Sequence, residues 1–543
     1  MPETRSLQVR WQAAQRLAQR SVRTAAGSAR SAGSAAVSMT RSAAGSARSA
    51  YRSAADSTRN AWWSASKQQR QTVRLTASST VLGLLVSAGA VAAAGPWDSG
   101  QRTAERARAV APGDTRGEHH VPGGTAPAPS APPVLAAIGV PPRAGSNGPP
   151  SAKGVAGVLA PLMKDDAFGS LRTASVVDAA TGRELFGAEP GRNATPASTV
   201  KLAIATAALT ALGPEHRIDT TVVEGARGGL VLVGGGDPTL TARAPEHGVQ
   251  DQPASLRTLA DDTARALKER GTGKVRLGYD LSAYTGPVLH PISPNENITP
   301  VTSLMADEGR LDETRAGPAP RDTDPAATAA RTFAQLLKDR GITVEGTPAR
   351  TTAPAKARRL ATTSSPPLAG LVERMLTNSD NDIGEALARQ TALATGEPAS
   401  FEGADRAVRK TLSKLNLPLT GAVFADGSGL DRTDRASAGL LSRLLALATS
   451  AEHPELRSVA TGLPIAGFTG TLRGRYASEQ AGAGTVRAKT GTLTGVNTLA
   501  GTVLDTDGRL LVFAFMTNHT TDAQAAQQAL DKMASALANC GCR

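Results

Sequence analysis

The stretch Thr195-Pro196-Ala197-Ser198-Thr199-Val200-Lys201 decides the fold, and an Ala-rich apolar run without Gly or Pro follows it to Leu212. Because Pro is favoured in the first turn of a helix, the pattern predicts a helix that begins near Pro196. Ser198 and Lys201 would share one face of that helix, whose N-terminus favours a developing negative charge. A desolvated Lys can act as a base toward a Ser hydroxyl. The alternative is a surface Ser and Lys at a helix start.

Ser379-Asp380-Asn381 lies between two helix-like segments, residues 368–376 and 383–391, and is therefore predicted to form a tight interhelical loop. Such a loop can present two side chains to a cleft. A Ser hydroxyl there can pass a proton between a Lys and a leaving group, and an Asn amide can hold the Lys and a substrate backbone. The alternative is a simple helix cap, since Ser, Asp and Asn are the favoured N-cap residues.

Lys489-Thr490-Gly491-Thr492 continues a β-rich run, and two further β-rich runs follow at residues 497–504 and 510–516. The turn Asp505-Thr506-Asp507-Gly508 indicates a hairpin, so the motif is predicted on the first strand of an antiparallel set. Gly491 would let a substrate backbone lie against the strand. Lys489 and Thr490 offer a cation and a hydroxyl to a terminal carboxylate. The alternative is an exposed strand lysine.

Order and context distinguish these motifs from chance matches such as Ser64-Ala65-Ser66-Lys67 and Ser293-Pro294-Asn295. Taken together, they resemble the motifs of the penicillin-recognising serine enzymes, which include penicillin-binding proteins and serine β-lactamases. Ser379 follows Ser198 by 181 residues, and Lys489 follows Ser379 by 110. The long first interval predicts a folded insertion. The chain is therefore similar to the D-alanyl-D-alanine carboxypeptidase/endopeptidase family of low-molecular-mass penicillin-binding proteins.

Two Gly-rich stretches strengthen the resemblance, which covers about residues 156–537. They are Val233-Gly234-Gly235-Gly236-Asp237-Pro238-Thr239-Leu240 and Asp426-Gly427-Ser428-Gly429-Leu430. Asp237 and Asp426 are interpreted as structural turn residues. In related enzymes a carboxylate of the insertion binds the free amine of the stem peptide. Glu296 is the candidate here, although its loop, residues 293–297, departs from the family pattern.

The resemblance implies an α+β fold in which a β-lactamase/transpeptidase-like domain, an antiparallel sheet covered by helices, comprises residues 154–213 and 365–538. A β-rich domain of residues 214–364 is expected between the first and second motifs. Its strand-like pieces are Val222-Val223 and residues 230–233, and its amphipathic segment is residues 327–338. The catalytic domain is predicted to begin with a strand pair, residues 175–178 and 184–186, and to end with a helix over residues 522–537.

The resemblance also implies a serine DD-peptidase that hydrolyses D-Ala-D-Ala stem peptides of peptidoglycan through an acyl-enzyme and is acylated by β-lactam antibiotics. Cross-linked stem peptides are further candidate substrates. Ser198 would be the nucleophile and Lys201 the base, with Ser379 and Asn381 relaying the proton. The substrate-binding residues would be Lys489, Thr490, Gly491 and Thr492, and the N–H groups of Ser198 and Thr492 would form the oxyanion hole. No metal and no cofactor are expected.

Two alternatives remain at this stage. A serine β-lactamase would use the same three motifs, but the long insertion and a membrane tether argue against it. A wall-binding or β-lactam-sensing protein that acylates without turnover would normally need an output module, for which the N-terminal tail is a poor candidate.

The formal net charge of +13 is concentrated in residues 1–74, an Ala/Ser/Arg-rich stretch with thirteen Lys or Arg and two acidic residues. This stretch is predicted to be a disordered cytoplasmic tail attracted to anionic lipid. Residues 75–95 carry no charge and are long enough to span a bilayer as an anchor, with a cleaved signal segment as the alternative. The Pro/Gly/Ala-rich residues 96–153 are predicted to be a linker.

These segments predict a single-pass protein of the cell membrane with an extracytoplasmic catalytic domain, or a secreted protein if the segment is cleaved. Membrane lipid is thus an expected partner, and nucleic acid is not. The last residues, 539–543, are interpreted as a frayed C-terminal tail. Its Cys540 and Cys542 are too close in sequence for a disulfide framework.

Overall fold

The computed structural model describes residues 150–543 apart from residues 246–251, 293 and 480. The predicted tail, the predicted membrane segment and the linker up to residue 149 lie outside the described residues. Within the described part of the chain, no helix is both long and apolar enough to span a membrane.

The described residues form helices and strands that are numbered here in chain order. The helices are α1 Ala152–Leu162, α2 Lys201–Leu212, α3 Leu256–Lys268, α4 Pro325–Asp339, α5 Leu368–Asn378, α6 Asn381–Thr395, α7 Phe401–Ser413, α8 Ala438–Thr449, α9 Arg457–Thr461 and α10 Ala523–Ala538. The strands are β1 Leu171–Asp178, β2 Glu184–Ala188, β3 Asn193–Ala194, β4 Asp219–Glu224, β5 Leu230–Val233, β6 Lys274–Val275, β7 Leu277–Asp280, β8 Thr343–Val344, β9 Ala349–Arg350, β10 Arg359–Ser364, β11 Ala436–Ser437, β12 Arg487–Leu493, β13 Val496–Leu504 and β14 Leu510–Asn518.

The central sheet has the strand order β12-β13-β14-β1-β2, and every neighbouring pair is antiparallel. Both the predicted N-terminal strand pair and the predicted C-terminal set are confirmed. They join into one sheet because β14 pairs along its length with β1, from Leu171 opposite Asn518 to Asp178 opposite Leu511. Strands from near the two ends of the described chain are therefore neighbours in one sheet.

Helices cover both faces of this sheet. Side chains alternate along a strand, so Val512, Ala514 and Met516 of β14 face one core while Phe513 and Phe515 face the other. The first core contains α2 and α5 to α9, and the second contains α1 and α10. The architecture is α+β, as expected.

The helix predicted near Pro196 begins differently from the prediction. Ala197–Val200 form a 3-10 turn, and the α-helix starts only at Lys201. Every residue of α2 from Lys201 to Leu209 is buried, so this helix is surrounded by protein on all sides. Ser198 therefore lies in the 3-10 turn in front of α2 and not on the α-helix itself.

The inserted segment contains a second sheet with the order β10-β4-β5-β7-β9. In it β5 pairs in parallel with β7, and β7 with β9. Parallel neighbours need a crossover connection, and α3 and α4 occupy these two crossovers. The sequence analysis predicted α4 but missed α3, although Ser255 caps it and its apolar residues recur at helical spacing. The insertion thus contains the expected strands and the expected helix α4, together with one helix that was not predicted.

The C-terminal residues 539–543 were predicted to be frayed, but they are ordered. Cys540 and Cys542 are buried and joined by a disulfide, and they pack in the core beneath α1. The Ser151 N–H donates to the Cys542 carbonyl at 2.6 Å, which ties the first and last described elements together. The buried environment, and not the spacing of the cysteines, explains their ordered position.

Candidate active site

The amine of Lys201 lies at the centre of the candidate site. Its Nζ is 3.1 Å from Ser198 Oγ and 2.7 Å from Asn381 Oδ1, and it also donates to the Ser428 carbonyl. Lys201 is completely buried. Three acceptors match the three protons of an ammonium group. The predicted Ser198–Lys201 pair therefore forms, with a residue of the second motif bonded to it.

The second motif does form the predicted interhelical loop. Ser379 ends α5 in the left-handed conformation with φ 58°, and Asp380 caps α6 by accepting the Ile383 N–H at 3.0 Å. Capping, the alternative interpretation, is thus correct for Asp380. Ser379 and Asn381, on either side of the cap, reach the two lysines of the site.

Lys489 extends from β12, at the edge of the central sheet, into this same cluster. Its Nζ donates to Ser379 Oγ at 2.9 Å and to the Thr490 carbonyl at 2.8 Å. The lysine is fully buried, so the alternative of an exposed strand lysine is wrong. Thr490 Oγ1 lies 2.8 Å from Thr471 Oγ1, and Thr492 continues the strand as an exposed residue.

Gly491 brings the edge strand against the 3-10 turn that carries Ser198. A Cβ added at this position would lie 2.7 Å from the Pro196 carbonyl oxygen and would also collide with Thr498 Oγ1. We expected the missing side chain to make room for a substrate backbone. The structure shows that the protein's own backbone uses this room, since Thr498 Oγ1 bonds the Pro196 carbonyl at 2.8 Å.

Burial determines the charge of both lysines. It lowers the pKa of Lys201 to about 8, although the carboxylates of Asp426, Asp380 and Glu385 act in the opposite direction. Burial also lowers the pKa of Lys489 well below its usual range, and the neighbouring Lys201 adds to this effect. At neutral pH a minority of Lys201 is therefore neutral and able to accept a proton.

Three contributors to the site were missed by the sequence analysis. The Ser428 carbonyl accepts hydrogen bonds from Lys201 and, at 3.2 Å, from Ser198 Oγ. The Asn297 carbonyl accepts one from Asn381 Nδ2 at 3.0 Å, and Thr471 contacts Thr490. Two of the three act through the backbone, which no residue pattern reveals. Ser428 and Asn297 lay in stretches that had already been singled out, and Thr471 did not.

The predicted turn roles of the two aspartates are confirmed. Asp237 Oδ1 accepts the Thr239 N–H at 2.8 Å and the Thr239 hydroxyl at 2.7 Å. Asp426 accepts the N–H groups of Gly429, Leu430 and Asp431. Glu296 is exposed and lies beside Asn297 at the edge of the site.

Among the described residues, two buried groups of His and acidic side chains lie close enough together to hold a metal ion. In one, Glu308, Asp380 and Asp382 pair with Arg310, Arg374 and Arg321 respectively. In the other, His290, Glu385 and Asp426 are bonded to one another or to backbone N–H groups. In both clusters, protein groups therefore already occupy the carboxylates.

The buried amine beside Ser198 is suited to a hydrolase that acylates its own serine, and the helix-covered sheet around it is that of the penicillin-recognising enzymes. The sequence profile of the D-Ala-D-Ala carboxypeptidase 3 (S13) family matches residues 155–323 and 319–540. This chain belongs to that family and is a serine-type carboxypeptidase of the hydrolase class.

Individual relatives agree with this assignment. A carboxypeptidase of Mycobacterium tuberculosis is 37% identical over 436 residues, which cover 78% of this chain and 92% of the relative. Carboxypeptidase DacB of Mycolicibacterium smegmatis is 36% identical over 424 residues, covering 76% and 90%. The crystal structure of penicillin binding protein 4 from Haemophilus influenzae superposes with a TM-score of 0.58 at 21% identity, covering 69% of this chain and 97% of that one. The last comparison shows that the fold is shared.

The contact at Gly491 yields a test of the site's geometry. In Gly491→Ala, the new methyl group should force β12 away from the Ser198 turn, and labelling by a fluorescent penicillin should slow by about 10²-fold. The matched control is Gly474→Ala, because no atom lies within 4 Å of a Cβ at that position. Labelling of Gly491→Ala at the rate of the unmodified protein would contradict the close approach described above.

Proposed function

We propose that this chain cleaves the terminal D-Ala-D-Ala bond of peptidoglycan stem peptides through an acyl-enzyme on Ser198. The observation that carries the proposal is the fully buried Lys201 amine, 3.1 Å from Ser198 Oγ. A base in contact with the nucleophile, with its pKa lowered toward neutrality by burial, is what an active serine requires. Membership of the D-Ala-D-Ala carboxypeptidase family supports the choice of substrate.

The reaction would proceed in two stages. Neutral Lys201 accepts the hydroxyl proton while Ser198 Oγ bonds to the carbonyl carbon of the penultimate D-Ala. The N–H groups of Ser198 and Thr492 would stabilise the oxyanion. The proton then passes through Ser379, with Asn381 holding the amine, to the nitrogen of the departing D-Ala. Water, deprotonated by the same lysine, hydrolyses the ester and restores Ser198.

The edge strand β12 would bind the terminal carboxylate of the substrate. Thr490 follows Lys489 on this strand, and its hydroxyl is already paired with that of Thr471. Lys489 itself is enclosed and bonded to Ser379, and an incoming carboxylate would favour its protonated form, whose positive charge would then attract that carboxylate. A β-lactam carries a comparable carboxylate beside its reactive carbonyl and would acylate the same serine.

Substitution of the nucleophile tests the assignment. Ser198→Ala should abolish hydrolysis of a D-Ala-D-Ala peptide and covalent labelling by a fluorescent penicillin, because no other hydroxyl contacts the Lys201 amine among the described residues. Ser64→Ala, in the chance S-x-x-K match, should change neither. Full labelling of the Ser198→Ala protein would overturn the role of Ser198.

The same preparation distinguishes the competing functions. Rapid peptide turnover with slow release of penicillin indicates a DD-peptidase. Rapid penicillin release without peptide turnover would indicate a β-lactamase. Acylation with neither reaction would indicate a sensor.

The lysine pKa predicts the pH dependence. Because only neutral Lys201 can act as a base, the acylation rate should rise with pH and level off above about 8, the value to which burial lowers this pKa. Stopped-flow labelling across this range measures the profile. Lys201→Arg should be inactive at every pH, since a guanidinium stays protonated. A profile that still rises steeply toward pH 10.5, the ordinary lysine value, would contradict the buried base.

We also propose that residues 75–95 anchor the chain in the cell membrane, with the catalytic residues on the extracytoplasmic side and the basic tail on anionic lipid. The uncharged stretch and the excess of Arg and Lys before it support this orientation. N-terminal sequencing of the protein from membrane fractions should find the tail intact. A mature N-terminus near residue 95 would show cleavage and release instead.

A further inference from the structure

A tight turn, residues 426–431, touches both reacting side chains of the proposed mechanism through its backbone. The Ser428 carbonyl accepts hydrogen bonds from Lys201 Nζ and, at 3.2 Å, from Ser198 Oγ. A neutral amine keeps two N–H groups. If Asn381 Oδ1 and the Ser428 carbonyl accept these two, the lone pair of Lys201 is left facing Ser198 Oγ. The position of this carbonyl therefore decides where the base points.

The buried carboxylate of Asp426 accepts several hydrogen bonds from this turn. Asp426 accepts the Ser428 hydroxyl and the Gly429 N–H, both at 2.6 Å, and the N–H groups of Leu430 and Asp431, both at 2.9 Å. Burial acts to raise the pKa of Asp426, but the hydrogen bond and charge of His290, with further hydrogen bonds from Asp434 and Ser428, hold it far below its usual range. The conformation of the turn thus depends on where the Asp426 side chain lies.

His290, from the inserted segment, bonds to this carboxylate. Its Nε2 is 2.8 Å from Asp426 Oδ2, and its Nδ1 accepts the Ile292 N–H at 3.3 Å. Since Nδ1 is an acceptor, Nε2 carries the proton and donates it to Asp426. The imidazole is buried, with its ring edge-on to Phe401 at 5.5 Å between centroids. Only 1% of its side-chain surface is exposed.

Helix α6 also holds this turn. Glu385 Oε1 accepts the N–H groups of Gly427 and Ser428 at 3.0 and 3.1 Å, and Arg389 pairs with Glu385 at 2.8 Å. Glu385 Oε1 also lies 3.8 Å from His290 Nε2. The turn is therefore held by a helix of the catalytic segment and by one histidine of the insertion.

We propose that His290 is a positioning residue for Lys201, because it holds Asp426 and thereby keeps the Ser428 carbonyl on the lysine amine. This rests on the proposed role of Lys201 as the base. The inserted segment then has a direct part in the reaction: without the His290 contact the turn can shift, and the lone pair of Lys201 loses its direction toward Ser198. The substrate-binding strand β12 is not part of this network.

The test uses the rate constant for acylation at saturating fluorescent penicillin and the concentration that gives half of it. His290→Ala should lower the rate constant by up to about 10²-fold, the effect of a misplacement near 1 Å, while the half-saturating concentration stays the same. His290→Gln should recover most of the rate, because an amide N–H can replace the Nε2 donor. His453→Ala is the matched control, since this histidine bonds Glu455 at 2.9 Å outside the site.

Each contrary outcome has a distinct meaning. A rate constant for His290→Ala equal to that of the unmodified protein overturns the proposal. Equal losses of rate in His290→Ala and His290→Gln also overturn it. So does a variant in which fewer protein molecules are labelled at completion while the rate constant is unchanged, because this would indicate a role in folding. Lys201→Arg distinguishes failure of the proposed function from failure of the positioning role. If that variant still acylates, the proposed function fails. If it is inactive while His290→Ala reacts normally, only the positioning role fails.

Discussion

The fold is organised around the burial of one lysine amine. Moving a charged ammonium out of water is unfavourable unless acceptors replace the water, and Lys201 has three of them, on Ser198, Asn381 and Ser428. Each acceptor comes from a different part of the chain. The 3-10 turn, the start of α6 and the turn near residue 428 must therefore meet at this point. The same burial that requires the acceptors lowers the pKa of the amine to about 8, so one constraint produces both the structure and the reactivity.

The inserted segment is tied to this centre by buried ions. Three arginines and three carboxylates meet where the insertion contacts the Ser379 loop, and in each pair the charges are close: Arg310 with Glu308, Arg321 with Asp382, and Arg374 with Asp380. Burial raises the pKa of Glu308 and that of Asp382, and the arginines beside them act in the opposite direction. Removing one member would leave a buried charge without its partner, which typically costs ~3–5 kcal/mol. The insertion thus supports the catalytic loop on one side and the lysine, through His290, on the other.

Much of the architecture was readable from local patterns. The β-rich runs of β12 to β14 and the turn at residues 505–508 predicted the hairpin set, and the helix over residues 522–537 was found within a residue at each end. Local patterns failed where distant segments decide the outcome. The start of α2 was misjudged because packing against Thr498 and Gly491 holds residues 197–200 in a tighter turn. The helix α3 was overlooked, and with it the parallel order of β5 and β7.

The sequence by itself determined which side chains meet in the candidate site, because Ser198, Lys201, Ser379, Asn381 and Lys489 belong to motifs whose spacing and context differ from chance. It also determined the strands of the central sheet, since β-rich composition and turn residues are local properties of the chain. Only the tertiary structure decided that Lys489 is enclosed, that Gly491 serves the protein's own backbone, and that the Ser428 carbonyl and His290 belong to the site. Burial depends on contacts with distant parts of the chain, so it cannot be read from local residue types. A backbone carbonyl is present in every residue, so its role as an acceptor cannot be read from the sequence either.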